Sequence, residues 1–432
     1  MDQTKGKLLV LAVVFLAVFA SLLTPKHAFG QVQQKVLYSF CSASNCTDGA
    51  SPHGILTFDG QGNLYGTTQH GGANCSSCGA VFELTPSADG TWTETVIYSF
   101  SGPDGANPMA GVTFDRSGNL YGTTENGGAK GLGSVYELSP PGNSGGAWTE
   151  TVLWSFSASG GGPLSRLNID SSGNLYGTTQ GGGAYNGGMV FQLAPPESGG
   201  QWSMNTLYSF GQDINNGWDL VAGVTFDAQG NLYGTTLQGG AKEGFGLGVI
   251  YKLSPNAGLP WTETVLTRFN KRSGGNPYSA INFDPLGNMY GTTLYYGGAY
   301  GSVFRLTPQG KFATIGFGGA PGPASPLAGV FIKGNQIYGT TQGGGAQNEG
   351  ALYHVQGSKE TVLYSFCSLA NCADGFYPEA GLVSRNGKLY GTTAAGGTGA
   401  QGGGVVYEIS LPNAKPAAKA LTTKSPPKKG AL

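Results

Sequence analysis

Charged residues are scarce in this chain of 432 residues, where Asp, Glu, Lys and Arg together make up 11%. Three of the 23 basic residues precede residue 31 and five follow residue 410, which leaves 15 basic against 23 acidic residues between those positions. A protein that binds a phosphate backbone needs clustered lysine and arginine. The mildly acidic central region therefore predicts no nucleic-acid partner.

The chain also lacks the signature motifs of common enzymes and metal sites. It contains no Gly-x-Ser-x-Gly elbow, no Walker loop and no His-Glu-x-x-His. Of its four histidines, His27 lies near the N-terminus and His354 in a predicted strand, so too few remain for a three-histidine metal centre. From these absences we predict no catalytic residue, no metal site and no cofactor.

Long apolar runs are limited to one, Leu8–Ala20, which follows Lys5 and Lys7 and precedes the small-residue site Ala28-Phe29-Gly30. This pattern predicts a cleavable secretory signal over residues 1–30, and an uncleaved membrane anchor is the alternative. No cysteine follows the run, so lipoprotein anchoring is not indicated. We expect a secreted or periplasmic protein, monomeric and without an integral membrane segment once the signal is removed.

A seven-residue phrase, Gly-Asn-Leu-Tyr-Gly-Thr-Thr, organises the rest of the chain. It begins at Gly62 and recurs with small changes, and its tyrosines stand at 65, 121, 176, 233, 290, 338 and 390. A repeat period near 50 residues indicates a propeller, a solenoid or another array. The repeats predict one domain over residues 31–410, followed by a Pro-, Ala- and Lys-rich tail over 411–432 that we expect to be disordered.

The first repeat contains four short segments with the alternation of β-strands, namely 54–59, 63–68, 80–85 and 92–100. Four strands joined by hairpins form one propeller blade. The last repeat has only three strands, from 380 to 410, and residues 35–40 carry the missing fourth. Because ring closure leaves no unpaired edge, we predict an all-β fold, a closed seven-bladed β-propeller with four antiparallel strands per blade.

Recurrence also separates structural residues from candidate functional ones. We expect the repeated tyrosine to fill the gap between blades, and the glycine after it to allow close backbone approach. Five aspartates end the first predicted strand, and their recurrence indicates turn capping rather than catalysis; they are Asp59, Asp115, Asp170, Asp227 and Asp284. The glutamates of the Trp-Thr-Glu-Thr phrase, Glu94, Glu150 and Glu263, are expected to be solvated on the outermost strand.

The repeated phrase, followed by Gly-Gly-Ala, Val-Phe-Glu-Leu and Trp-Thr-Glu-Thr-Val-Leu-Tyr-Ser-Phe, resembles the Gloeo/Verruco (GloVer) tandem repeat of exported bacterial proteins. The resemblance covers nearly all of residues 35–410. It implies an exported repeat protein with no assigned activity and no catalytic residues to carry over. Some members carry a C-terminal surface-anchoring segment, and no apolar helix follows Ser410 in this chain.

Six cysteines lie in loops of blades that neighbour one another at the ring closure. An even number in an exported chain favours disulfides, and the simplest pairing is local: Cys41 with Cys46, Cys75 with Cys78, and Cys367 with Cys372. Six cysteines allow 15 pairings. A zinc site from Cys41, Cys46, Cys75 and Cys78 is the alternative that the CxxC spacing permits.

Residues that break the repeat mark a candidate ligand site, because the strand connectors converge over the central channel of a propeller. The candidates are His53, His70, Trp218, Asp219, Tyr278, Tyr295, Tyr296, Tyr377 and Glu379, with Tyr300 and Phe376 beside them. Packing of these side chains within their own loops is the structural alternative. The sequence favours a non-catalytic binding or scaffold module for a carbohydrate, a cell-envelope component or a protein.

The alternative function is a propeller enzyme acting on glycans, as a hydrolase or a lyase. It would need asymmetric carboxylates over the channel, and the candidates are Asp213, Asp219, Glu243, Glu349 and Glu379.

Overall fold

The computed structural model describes residues 32–411, except 144–145, 158–159, 198 and 242–245. The predicted signal (1–30) and the predicted tail (412–432) lie outside the described residues. Residues Gln33–Ser410 form one compact unit. No helix in the described ranges is long and apolar enough to cross a membrane.

The unit consists of seven four-stranded antiparallel sheets, the blades of the predicted propeller. From the channel outward, the blades contain Thr57–Phe58, Leu64–Thr68, Ala80–Pro86 and Trp92–Ser99 (blade 1); Thr113–Phe114, Leu120–Thr124, Ser134–Ser139 and Thr149–Ser155 (blade 2); Asn168–Ile169, Leu175–Thr179, Met189–Ala194 and Ser203–Ser209 (blade 3); Thr225–Phe226, Leu232–Thr236, Val249–Ser254 and Thr262–Arg268 (blade 4); Asn282–Phe283, Met289–Tyr295, Ser302–Leu306 and Phe312–Gly316 (blade 5); Phe331–Lys333, Gln336–Thr341, Ala351–Gln356 and Lys359–Ser365 (blade 6); and Val383–Arg385, Lys388–Thr393, Val405–Ser410 and Gln33–Ser39 (blade 7).

Short elements decorate the loops. Gly275–Pro277 pairs with the second strand of blade 5, and Pro323–Ala324 pairs with Gly343–Gly344. Within the described residues the helical segments are three 3₁₀ turns, Ser44–Cys46, Ile214–Asn216 and Ala370–Cys372. The prediction of a nearly helix-free fold is confirmed.

The N-terminal strand closes the ring. Gln33–Ser39 pairs antiparallel with Val405–Ser410, with Gln33 opposite Ser410 and Ser39 opposite Val405. The predicted closure is therefore confirmed, with the strand beginning at residue 33 rather than 35. The third strand of the seventh blade is therefore not left as an unpaired edge.

The innermost strands are shorter than predicted. Only Thr57 and Phe58 of the predicted segment 54–59 pair with the second strand. Carbonyl groups in this part of several blades accept hydrogen bonds across the seam between blades instead: Thr67 of blade 1 donates its hydroxyl to the carbonyl of Ala110 at 2.9 Å, and Thr57 donates to Val112 at 2.8 Å. The first strand therefore makes hydrogen bonds both within its own sheet and to the neighbouring blade.

The repeated tyrosine packs between blades as expected, whereas the expectation that the glycine allows close backbone approach is wrong. Tyr65 is buried and packs edge-on against Phe114 of the next blade, with ring centroids 5.0 Å apart, while its hydroxyl donates to Glu83. A Cβ on Gly66 would lie 2.5 Å from the ring of Phe82. The neighbour that excludes a side chain here is an aromatic ring of the same blade rather than backbone.

The repeated aspartates cap turns, as predicted. Asp115 accepts hydrogen bonds from the backbone N–H groups of Ser117 and Asn119 at 2.8 and 2.9 Å. Blade 7 has no such aspartate and turns through Asn386 and Gly387, both with positive φ. That combination is typical of a two-residue type I′ hairpin.

The Trp-Thr-Glu-Thr glutamates contradict the expectation that they are solvated. Glu94, Glu150 and Glu263 each keep one carboxylate oxygen buried and without a partner in the described part of the chain. Burial, joined by a nearby aspartate, raises the pKa of each to about 7. Neighbouring blades pack so closely that the outermost strand of one faces the blade before it. The sequence pattern of one blade does not show this contact.

The six cysteines form three disulfides with the local pairing: Cys41–Cys46, Cys75–Cys78 and Cys367–Cys372. These bonds occupy all four thiols of the alternative zinc site. On the chain-entropy relation, a loop the size of 41–46 contributes about 2 kcal/mol.

Candidate functional site

The connectors that enter each blade share one backbone conformation. One residue per connector has a φ between 55° and 72°; these are Ser51, Asn107, Gly162, Asp219, Asn276, Ser325 and Tyr377. Asn107 shows how it is anchored: its N–H donates to the carbonyl of Cys78 in the preceding blade, and its own carbonyl accepts from the N–H of Glu125. Bonds on both sides hold each connector at a fixed height above the channel.

Two residues further on, each connector places one side chain around the opening of the channel. These seven residues, which we call the mouth ring, are His53, Met109, Leu164, Val221, Tyr278, Leu327 and Glu379, and they enclose a cavity of about 110 Å³. Four of them are aliphatic. The other three, His53, Tyr278 and Glu379, were predicted site residues, and the structure brings them together in this cavity.

A side-chain contact between His53 and Glu379 joins the two ends of the repeat array at the mouth ring. Nδ1 of His53 lies 2.7 Å from Oε2 of Glu379, and both side chains are largely buried. The other carboxylate oxygen of Glu379 accepts a hydrogen bond of 2.7 Å from the amide of Gln342. Both oxygens are therefore held, which fixes the carboxylate in one orientation.

Glu125 is a carboxylate close to His53 and Tyr278 that the sequence analysis missed. It follows the Thr123-Thr124 pair of blade 2, and burial raises its pKa while the nearby His53 opposes that rise. Its counterparts in blades 1 and 6, which also follow Thr-Thr, are Gln69 and Gln342. Comparison of the seven copies at this position would have shown the single glutamate.

Three carboxylates act on Tyr278. Burial raises the pKa of its hydroxyl, and Glu379, Asp219 and Glu125 add to the rise in that order. Asp219 accepts a hydrogen bond of 3.2 Å from Gln238, and its other oxygen is buried without a partner among the described residues. The surroundings of the mouth are thus acidic and rich in hydrogen-bond acceptors.

The remaining predicted residues surround the mouth without lining its cavity. His70 lines a separate cleft of about 690 Å³ beside the Cys41–Cys46 disulfide, where burial, and secondarily His53, lowers its pKa. Tyr377 is 38% exposed and packs on Phe376. Its pKa is raised chiefly by Glu349.

Exposed aromatic residues continue beyond the ring. Tyr295, Tyr296 and Tyr300 of the blade 5 loop are 53%, 37% and 51% exposed. Trp218 is half-buried, and its backbone pairs with Gln238. These aromatic side chains lie on loops and do not line the cavity that His53 and Glu379 line.

The carboxylates proposed for the enzyme alternative do not gather in one place. Asp219 and Glu379 lie at the mouth, and Glu349 lies next to Tyr377. Asp213 caps the turn before Asn215 and faces the outer seam near Glu263. Glu243 is outside the described residues. Among the residues that the structure describes, no group of three His, Cys, Asp or Glu side chains is arranged to hold a metal ion.

Comparison with known proteins identifies the repeat. The family model described as Gloeobacter/Verrucomicrobia repeat matches residues 27–245 and 223–423. No curated protein matches the chain. Similar solved structures include a Bacteroides uniformis protein named "putative 6-phosphogluconolactonase" (13% identity, 77% of this chain and 94% of that chain, TM-score 0.46). Another is a Dyadobacter fermentans protein of unknown function (13% identity, 89% and 100% coverage, TM-score 0.43). Likenesses this distant carry no argument about activity.

Proposed function

Since this chain belongs to the Gloeobacter/Verrucomicrobia repeat family, a family of propeller repeats, we propose that it is an exported, non-catalytic binding module for carbohydrate. Export through residues 1–30 is supported by the three disulfides, which persist in oxidising compartments. The mouth ring is the proposed ligand site.

The observation that carries the proposal is the chemistry of the mouth ring. A sugar presents hydroxyl donors at its edge and an apolar C–H face. The mouth ring offers the carboxylate of Glu379, with the side-chain amide of its neighbour Gln342 close by, beside the tyrosine ring of Tyr278 and the apolar side chains of Met109 and Leu164. Few polar groups in an otherwise apolar concavity are typical of small-molecule sites. The fold does not require these side chains, because other copies of the repeat carry different residues at the same position.

Carbohydrate is preferred over an anionic ligand at this site because Glu125, Asp219 and Glu379 would repel negative charge. The exposed tyrosines of the blade 5 loop, Tyr295 and Tyr296, would extend the contact surface by stacking on further sugar rings.

The test is a glycan and cell-wall array probed with the intact chain, followed by titration of the strongest ligand. We expect Tyr278→Ala and Glu379→Gln to weaken binding at least about tenfold, the effect of losing 1.4 kcal/mol. Glu197→Gln, at an exposed position between the third and fourth strands of blade 3, serves as the matched control. Equal binding by all three variants would contradict the site.

One observation favours the alternative of a glycan hydrolase or lyase. Glu379 lines the mouth cavity and Glu125 lies near it, in different surroundings: burial raises the pKa of Glu125, whereas Glu379 contacts His53. Unequal carboxyl groups are the pattern of acid–base catalysis. The same samples should therefore be assayed for released sugar. Release that disappears with Glu125→Gln would support an enzyme and reject the non-catalytic module.

A further inference from the structure

Below the mouth, the innermost strands line a second cavity of about 660 Å³ inside the channel. Alternate residues of a strand point to one side of the sheet, so the position two residues after each mouth-ring residue faces this channel. In six blades that residue is aliphatic or glycine; these are Ile55, Gly111, Gly223, Ala280, Gly329 and Gly381. In blade 3 it is Arg166.

Arg166 is the one charged side chain among the described residues that line the channel cavity. In the described part of the chain the contacts between basic and acidic side chains are His53–Glu379 and Lys388–Glu408, so Arg166 has no carboxylate partner there. Burial lowers the pKa of its guanidinium, and no neighbouring charge contributes to that shift. Arginine nevertheless stays protonated in proteins. The side chain is half-buried where it lines the channel, and a charge partly removed from water is stabilised by a counter-charge or by hydrogen bonds.

The hydrogen bonds of Arg166 use only one edge of the guanidinium. Nε donates to the hydroxyl of Thr113 at 3.0 Å, and Nη2 donates to the hydroxyl of Thr57 at 3.1 Å. The hydroxyl groups of both threonines donate hydrogen bonds to backbone carbonyls, so toward the arginine they act only as acceptors. The edge formed by Nη1 and Nη2 has no acceptor among the described residues.

We propose that the channel binds an oxyanion, the carboxylate or phosphate group of a small ligand, through the free edge of Arg166. A planar pair of N–H groups matches two oxygens of such a group. The small residues at the equivalent positions leave space in front of the guanidinium. Asn282 lines the same cavity, and no other described residue uses its side-chain amide, so it can supply a further N–H. This inference does not rest on carbohydrate binding at the mouth, which is a different cavity.

The experiment is calorimetric titration of the intact chain with acetate, inorganic phosphate and chloride at constant ionic strength, with thermal unfolding measured in the same buffers. We expect acetate or phosphate to bind, and to raise the unfolding temperature as binding to the folded state must. Arg166→Gln should weaken this binding at least tenfold. Arg166→Lys, which keeps the positive charge but loses the planar pair of N–H groups, should weaken it too. Arg116→Gln, at an exposed turn, is the matched control and should bind as the wild type does.

The relative affinities of the anions identify the ligand group. Tighter binding of acetate assigns a carboxylate, tighter binding of phosphate assigns a phosphate group, and either supports the site. Chloride binding as tightly as both oxyanions, or oxyanion binding unchanged in Arg166→Gln, overturns it. In anion-free buffer the unfolding temperature of Arg166→Gln should be no lower than that of the wild type, because the substitution removes a charge without a carboxylate partner; a cooperative unfolding transition at that temperature shows that the variant is folded. Glu379→Gln should leave anion binding intact, which distinguishes this site from the mouth.

Discussion

The glycine of each Tyr-Gly-Thr-Thr phrase faces an aromatic ring on the third strand of its own blade. Built Cβ atoms would lie 2.3–2.6 Å from the nearest ring or hydroxyl atom in all seven copies. The threonine after it spans the seam: Thr123 donates to Ser165, and Thr340 to Ala380. The glycine leaves room for a ring and this threonine bridges two blades in most copies, which is a physical reason for their repetition.

The substitution Gly122→Ala tests this packing. The new methyl group would lie 2.3 Å from the hydroxyl oxygen of the buried Tyr136, so either the ring or the strand must move. Overpacking of this kind should lower the free energy of unfolding by about 1–3 kcal/mol. Urea unfolding monitored by tyrosine and tryptophan fluorescence measures it.

Gly60→Ala is the control for the change of backbone entropy, because nothing lies within 4 Å of a Cβ built there. Its stability should stay within about 0.5 kcal/mol of the wild type. Equal urea midpoints of unfolding for Gly122→Ala and Gly60→Ala would show that the ring of Tyr136 moves aside with no loss of stability.

Outermost strands bring an acidic group to the seam between blades. Glu150 approaches Asp104, which accepts a hydrogen bond of 2.6 Å from Tyr98 of the preceding blade. Glu94 and Glu263 occupy the same position in blades 1 and 4. In blade 7 the equivalent residue is Gln34, whose amide donates to the carbonyl of Asp374. Glutamine has the shape of a protonated glutamate, in agreement with a seam that favours the neutral form.

The seam glutamates should make stability depend on pH. Burial, and then the charge of Asp104, raises the pKa of Glu150 in the folded protein from 4.5 to about 7. The folded state thus holds the proton more tightly than the unfolded state. The resulting stabilisation is complete below about pH 4.5 and is lost as the pH rises through about 7.

Glu150→Gln should remove this dependence at one seam and raise stability at pH 8, by at most about 1 kcal/mol because solvent screens a half-exposed group. Thermal unfolding from pH 5 to 8 measures both effects. The exposed Glu197→Gln should reproduce the wild-type pH profile. If Glu150→Gln follows that profile as well, the carboxyl group of Glu150 is ionised throughout.

At the scale of the whole molecule, stability depends on closing the ring with a strand from the other end of the chain. Leu37 and Phe40 of this segment are buried in a core cluster with Leu56 and Phe82 of blade 1 and Tyr390 of blade 7. The closing strand thus supplies both a hydrogen-bonded edge and apolar contacts to the neighbouring blade. Without it, Val405–Ser410 would be an exposed edge strand, which invites association.

Deletion of residues 31–40 should therefore lower the unfolding temperature, by about 10 °C or more if several kcal/mol are lost, and should produce oligomers. Light scattering and calorimetry would detect both effects.

A circular permutant that begins at Cys41 and carries residues 32–40 after Leu411 should restore the wild-type behaviour, because Gln33 and Ser410 are paired and need only a short turn. A permutant as unstable as the deletion would contradict the view that the strand alone closes the ring.

The sequence alone determined the number of blades, their strand order, the closing strand and the capping aspartates, and it offered the local disulfide pairing as the simplest of 15. These features depend on contacts within one repeat or on its periodic recurrence, and a period is visible in a single sequence. It also identified His53, Tyr278 and Glu379 as residues that break the repeat.

Only the tertiary structure decided which of the non-repeated residues meet. His53 and Glu379 come from opposite ends of the chain, and ring closure alone brings them within 2.7 Å. The burial of Glu150 and the isolation of Arg166 likewise depend on a neighbouring blade or on the channel. Such contacts have no local signature, because the position of a side chain across a seam is set by the packing of whole blades.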